Sequence, residues 1–168
     1  MARSDIIPIL SRVDGLAEEI ETFVPLDTRS IQFRADLAGL LVVAIAATYE
    51  TCVKEILTNH ASNHHVNFGQ FAQNHFSKLN SRIDISDLHR YATTFDVRMN
   101  NLFKQKLNTR KQKINMLIGK DMTTSYTQLL NWRHEFAHAG TRNTTVEEAI
   151  KTHRLAKWVI YIFADTFA

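Results

Sequence analysis

The sequence predicts an all-α protein, a bundle of four to six helices. Glycine and proline are scarce, at 5 and 2 of 168 residues, which leaves too few turn formers for a many-stranded sandwich or barrel. Apolar residues recur at three- and four-residue spacing in several segments, and polar capping residues stand before some of them. The chain is 45% hydrophobic and 22% charged, the balance of a folded protein, and residues 1–168 are expected to form one domain.

The elements follow in order. Ser4 caps a first helix, with Pro8 in its opening turn; Ile9, Val13, Leu16, Ile20 and Phe23 mark its apolar stripe, and Pro25 ends it. A polar link runs from Asp27 to Arg34. The second helix, residues 35–59, is apolar on nearly every face at first, as a helix at the centre of a bundle is. Residues 59–67, with His60, His64 and His65, read as a helix end and loop. Phe68, Phe71, Ala72, Phe76 and Leu79 mark a short helix, and Leu88, Tyr91, Ala92, Phe95, Met99, Leu102 and Phe103 another that starts near Ser86. Residues 108–113 read as a basic link, and residues 115–118 as a single turn before Gly119. Ser125 and Gln128 form a capping-box pattern for a helix that stops at Gly140, and Thr145 and Glu148 form one for the last helix.

Composition excludes several functions. The single cysteine, Cys52, allows no intrachain disulfide and no thiolate zinc site, and it falls in an apolar stretch as a buried thiol would. The most apolar segment, Leu37 to Ala47, is too short to span a bilayer, and the N-terminus has no secretory pattern, so a cytoplasmic protein without membrane attachment is expected. A net charge of +3 permits a polyanionic partner without requiring one.

One hexapeptide carries chemistry: Arg133-His134-Glu135-Phe136-Ala137-His138. In one reading His134 and His138, four apart on one helix face, bind zinc while Glu135 activates a water. The extended peptidase pattern fails, because Thr141 and Thr144 stand where Gly and the third His belong; Glu147, Glu148, His153 and Asp165 are the remaining candidates for a third ligand. In the other reading Arg133 and His138 act on a phosphodiester. Histidine transfers protons near neutral pH, and arginine offers a permanently charged fork to phosphate oxygens. RNA carries its own nucleophile, the 2′-hydroxyl, so no metal is needed. Residues five apart on a helix point about 140° from one another, which makes a second copy of the motif across a dimer axis useful.

The run Leu129-Leu130-Asn131-Trp132-Arg133-His134-Glu135-Phe136-Ala137-His138-Ala139-Gly140 resembles the HEPN superfamily, and within it the RiboL-PSP-HEPN group. There an Arg, a polar residue and, after a short spacer, a His lie near the end of a bundle helix. The stretch from Ala47 to Lys54, with Glu50 inside an apolar run, is similar to an earlier long helix of that family, and the helical layout matches from Asp36 onward. The resemblance implies a metal-independent endoribonuclease without cofactor, commonly a toxin or antiphage effector, with RNA as substrate. It also implies a homodimer whose two motifs share a cleft, and a neutralising antitoxin or defence partner. Many relatives have lost catalysis and serve as binding or scaffold modules.

On this reading Arg133 and His138 are catalytic, His134 is auxiliary, and Glu50 is a candidate to orient Arg133 or a histidine. Each has a structural alternative: an ion pair for Arg133, a helix-dipole contact for His138, the surface for His134, and the edge of the buried stripe for Glu50. Arg110, Lys111 and Lys113 either track RNA phosphates or form a solvated link. Trp132 and Phe136 are expected as core or interface anchors.

Overall fold

The structure, a computed structural model, describes residues 3–25, 30–77, 79 and 83–168. Among the described residues there are seven α-helices and no strand: α1 (Arg3–Phe23), α2 (Ile31–His64), α3 (Val66–Phe76), α4 (Ile85–Phe95), α5 (Val97–Ile118), α6 (Met122–Ala139) and α7 (Val146–Thr166). All-α is the observed class, with one helix more than the upper expectation.

The extra helix comes from Asp96. The apolar pattern from Leu88 to Phe103 runs through it, yet the backbone there is extended, and the Asp96 carboxylate accepts from the Arg98 amide to open α5. A short polar side chain that bonds the backbone locally competes with helix continuation. The basic stretch 108–113 is no link. It lies inside α5, which ends only at Gly119 in the left-handed conformation (φ 65°).

α2 is the central element, packing on α1, α3, α6 and α7. It extends beyond the expected residues 35–59 because Ala61 is buried and the last turn stays paired up to His65. The histidine segment therefore is helix rather than loop: His60 Nδ1 lies 3.1 Å from the Phe167 carbonyl, and His65 is the N-cap of α3. By length and composition α2 could cross a bilayer, but half of its most apolar window is buried inside the bundle, as in a central core helix. Leu41, Val42, Ile45, Val53, Ile56 and Leu57 are fully or almost fully buried there. Each such side chain is worth about 1.5–3 kcal/mol relative to exposure. Cys52 sits among them, and burial pushes its thiol up to about 12, so it is chemically quiet.

At the N-terminus α1 starts at Arg3, which moves Pro8 into the second turn, and it ends two residues before Pro25. Residues 27–29 of the expected polar link lie outside the described residues. α6 begins one turn earlier than its capping pattern predicts. Asp121 is the N-cap, accepting from the Thr123 amide at 2.8 Å, while Ser125 sits inside the helix. Thr145 caps α7, its hydroxyl accepting from the Glu148 amide at 3.1 Å.

Candidate functional site

Two contacts fix how α6 lies on α2. The rings of Tyr49 and Tyr126 stack with centroids 5.4 Å apart, and Phe136 fills the space beside Gly39 so closely that a Cβ on Gly39 would overlap its ring. Residues 39 and 49 thus face 136 and 126, and the helices run antiparallel. The Arg133–His138 segment is thereby held against the N-terminal third of α2.

The end of α6 is set by Gly140. Its φ of 61° lets its amide reach the Phe136 carbonyl at 3.0 Å while the Thr141 amide turns back toward the Glu135 carbonyl at 3.4 Å. The chain leaves the helix directly after the motif. Two ion pairs then tie this exit to α2: Arg142 Nε to Asp36 Oδ1 at 2.5 Å, and Arg34 to Glu147 at the start of α7. Neither pair has a recognisable sequence signal, since their partners are more than 100 residues apart in the chain. Gly39 did carry one: a lone glycine in a long apolar helix marks close approach of another element.

Within the motif, His134 and His138 are exposed, and their ring centroids lie 4.5 Å apart. Arg133 is half-buried on the same last turns and makes no ion pair or hydrogen bond with any described residue. The motif thus combines a partly buried arginine that has no acidic partner among the described residues with an accessible imidazole pair. Trp132 is buried at 7% exposure and acts as a core anchor, and Phe136 anchors α6 on Gly39.

The zinc geometry is incomplete. Among the described residues, no third His, Cys, Asp or Glu joins His134 and His138 in a group able to hold a metal ion. The expected third ligands are engaged elsewhere. Glu147 pairs with Arg34, Glu148 accepts from Thr144, and His153 is buried against Tyr49 with its Nδ1 2.8 Å from the hydroxyl. Asp165 lines a groove on α5 and α7. Glu135, the base of that reading, accepts a hydrogen bond from the side-chain Nδ2 of Asn143.

Glu50 does not join the site. Its carboxylate pairs with Lys54 Nζ at 2.7 Å, an i,i+4 contact along α2. The antiparallel register places Arg133 level with residue 42, so Glu50 lies about 12 Å away along the helix axis at 1.5 Å per residue. The acidic residue of α2 near the motif is Asp36, which holds Arg142 instead. Arg110, Lys111 and Lys113 separate as well. Lys111 pairs with Asp121 at 2.9 Å, whereas Arg110 stacks on Trp158 and Lys113 is exposed.

No curated protein and no solved structure matched the chain. A family model did: RiboL-PSP-HEPN, over residues 9–168. That match takes in the long central helix, the arginine–histidine segment at the end of α6 and the closing helix together, and the chain belongs to the RiboL-PSP-HEPN family.

Proposed function

We propose that the protein is a metal-independent endoribonuclease acting as a homodimer. The observation that carries this is the state of Arg133. It is a partly buried residue whose guanidinium has no acidic partner among the described residues, in the same two turns of α6 as two exposed imidazoles. An arginine without a carboxylate partner keeps its fork of donors available to an anion, and a phosphodiester supplies the complementary oxygens.

The chemistry assigns roles. The RNA 2′-oxygen attacks the adjacent phosphorus while His138 takes its proton. Arg133 donates to the non-bridging oxygens as charge gathers on the crowded phosphorus. The bond from phosphorus to the 5′-oxygen breaks, and that oxygen leaves with a proton from an imidazole. The products are a 2′,3′-cyclic phosphate and a 5′-hydroxyl. His134, one helical turn from His138, assists with the phosphate.

A second copy of the motif supplies the acid for the leaving group. Phe33 and Leu40 support this assembly: they are seven apart, on one face of α2, and 58% and 57% exposed in the N-terminal third of that helix, against which the motif is held. Covering that stripe with its two-fold mate would bring two motifs to one cleft. Within this reading the biological setting is a toxin–antitoxin pair or an antiphage response, with a partner protein that restrains the enzyme. The second reading, a HEPN-like binding module without catalysis, uses the same surface.

The test is incubation of the purified protein with RNA in excess EDTA. Cleavage with cyclic-phosphate ends supports the ribonuclease. Inertness toward all RNA transfers the surface to a binding role, and activity restored only by zinc supports a metal hydrolase.

A further inference from the structure

A second charged feature lies away from the motif. α5, α7 and the start of α1 enclose an open groove of about 800 Å³. Its lining includes Arg3, Lys106, Arg110 and Lys113 against a single carboxylate, Asp165. None of the four cations forms an ion pair with a described residue; Lys106 donates to the backbone carbonyl of Asp165, not to its carboxylate. Elsewhere on α4 and α5, Arg90 is paired with Asp87, Arg98 with Asp96 and Lys111 with Asp121, and the exposed Lys104 stands alone among the described residues rather than in a cluster. The groove is therefore a local excess of positive charge with few internal counterions.

Its cations are also positioned. The Arg110 guanidinium lies 3.7 Å from the centroid of the Trp158 ring; that of Arg3 lies 4.7 Å from the same ring and 4.3 Å from Tyr161. Two like charges on one indole are held there by the ring's π face. The ring is thereby a platform for cations rather than a free surface for a nucleobase. Lys106, Arg110 and Lys113 follow one another at four and three residues, so they share one face of α5. The stripe is about 10 Å long at 1.5 Å per residue, which exceeds the spacing of neighbouring phosphates, about 3.4 Å along one strand even in a stacked duplex. A single phosphate would use one end of it.

We propose that this groove binds the phosphate backbone of a single-stranded RNA segment distant from the cleavage motif, reading charge and not sequence. The proposal rests on the ribonuclease reading for the identity of the polyanion. It assigns Arg3, Lys106, Arg110 and Lys113 to RNA contact, with Trp158 as their support, and removes Lys111 from that role.

The experiment is a fluorescence anisotropy titration with a labelled 2′-O-methyl RNA twelve-mer, which cannot be cleaved, in EDTA at several salt concentrations. Four phosphate contacts predict a slope of log affinity on log salt near about −2.8, from about −0.7 for each contact to a single strand. Lys113→Glu, and Lys113→Glu with Arg110→Glu, should weaken binding, the double variant by about tenfold or more, and flatten the slope by about 0.7 for each lost contact. Lys151→Glu changes the net charge equally at an exposed position off the groove and should bind as the parent does. Because the Lys113 side chain is exposed and makes no hydrogen bond or ion pair with a described residue, its variant stays informative if Arg110→Glu disturbs Trp158. Equal binding by parent and groove variants overturns the proposal, as does equal weakening by Lys151→Glu or a parent that does not bind the probe. Cleavage is scored separately on ordinary RNA. Groove-dependent binding without cleavage upholds the groove and refutes the ribonuclease, whereas cleavage with groove-independent binding does the reverse.

Discussion

Phe136, at the centre of the Arg133–His138 segment, occupies the space that a side chain on Gly39 of α2 would need. The contact sets the distance between α2 and the end of α6. Gly39→Ala should therefore destabilise the protein by about 1–3 kcal/mol, the usual cost of overpacking. Combining it with Phe136→Leu should cost less than the sum of the two single changes. Urea denaturation of the four proteins measures this coupling; additive effects would show that the two residues do not oppose one another.

Asp121 caps α6, and its carboxyl is held at about 2. Burial alone would raise it, but the side-chain and backbone donors of Thr123 and the Lys111 ammonium outweigh that. Asp121→Ala should lower stability by about 1 kcal/mol at neutral pH. A depressed carboxyl stabilises above its unfolded value and loses this as pH falls through its folded one. The difference between parent and variant should thus be constant above pH 4 or so and shrink toward pH 2. Thermal melts across that range provide the check.

His153 is almost fully buried, at 2% exposure. Burial lowers its basicity; Asp14 opposes this from 3.3 Å without hydrogen-bond alignment, and Lys157 and Arg154 reinforce it. The ring is neutral when folded, and the unfolded chain binds a proton first. Stability is then fully present above the unfolded value of 6.5 and falls as pH drops below it. The slope should be about 1 kcal/mol per pH unit from this group. His60, also lowered by burial with partial opposition from the Phe167 carbonyl, adds to the same trend. His153→Gln should flatten the melting temperature between pH 6.5 and about 5; an unchanged profile would place the proton elsewhere.

The two-copy site predicts a homodimer at micromolar concentration by light scattering. Leu40→Glu places a charge in the exposed stripe of α2 without touching the core. It should yield a folded monomer with strongly reduced cleavage. A monomer with full activity would refute the composite site.

Much of this organisation was legible in the residues. Helical spacing exposed α1, α2, α6 and α7, and Gly140 ended α6 as its position before a polar loop implied. The errors have physical causes. The pattern from Leu88 to Phe103 keeps its apolar period through Asp96, so periodicity could not reveal that this side chain bonds the backbone and splits the helix. The basic run 108–113 has helical neighbours on both sides, and its exposed charges belong on a helix surface as readily as in a link. The placement of the hexapeptide in the last turns of α6 was readable because its spacing is local. Glu50 was not, because an acid in an apolar run shows that it has a partner without showing which; that partner is Lys54, one turn away. Asp36–Arg142 and Arg34–Glu147 join residues distant in the chain, and only the folded register brings them together.

On the proposed function, Arg133 and His138 cleave RNA without a metal. The most direct measurement is the cleavage rate of a defined RNA in EDTA by the parent, Arg133→Ala, His138→Ala and Glu135→Gln, with circular dichroism to verify folding. Arg133→Ala and His138→Ala should each lose about 10²–10⁴ in rate, Glu135→Gln should retain most activity, and products should end in a 2′,3′-cyclic phosphate. An inactive Glu135→Gln beside a fully active Arg133→Ala would contradict the proposed function.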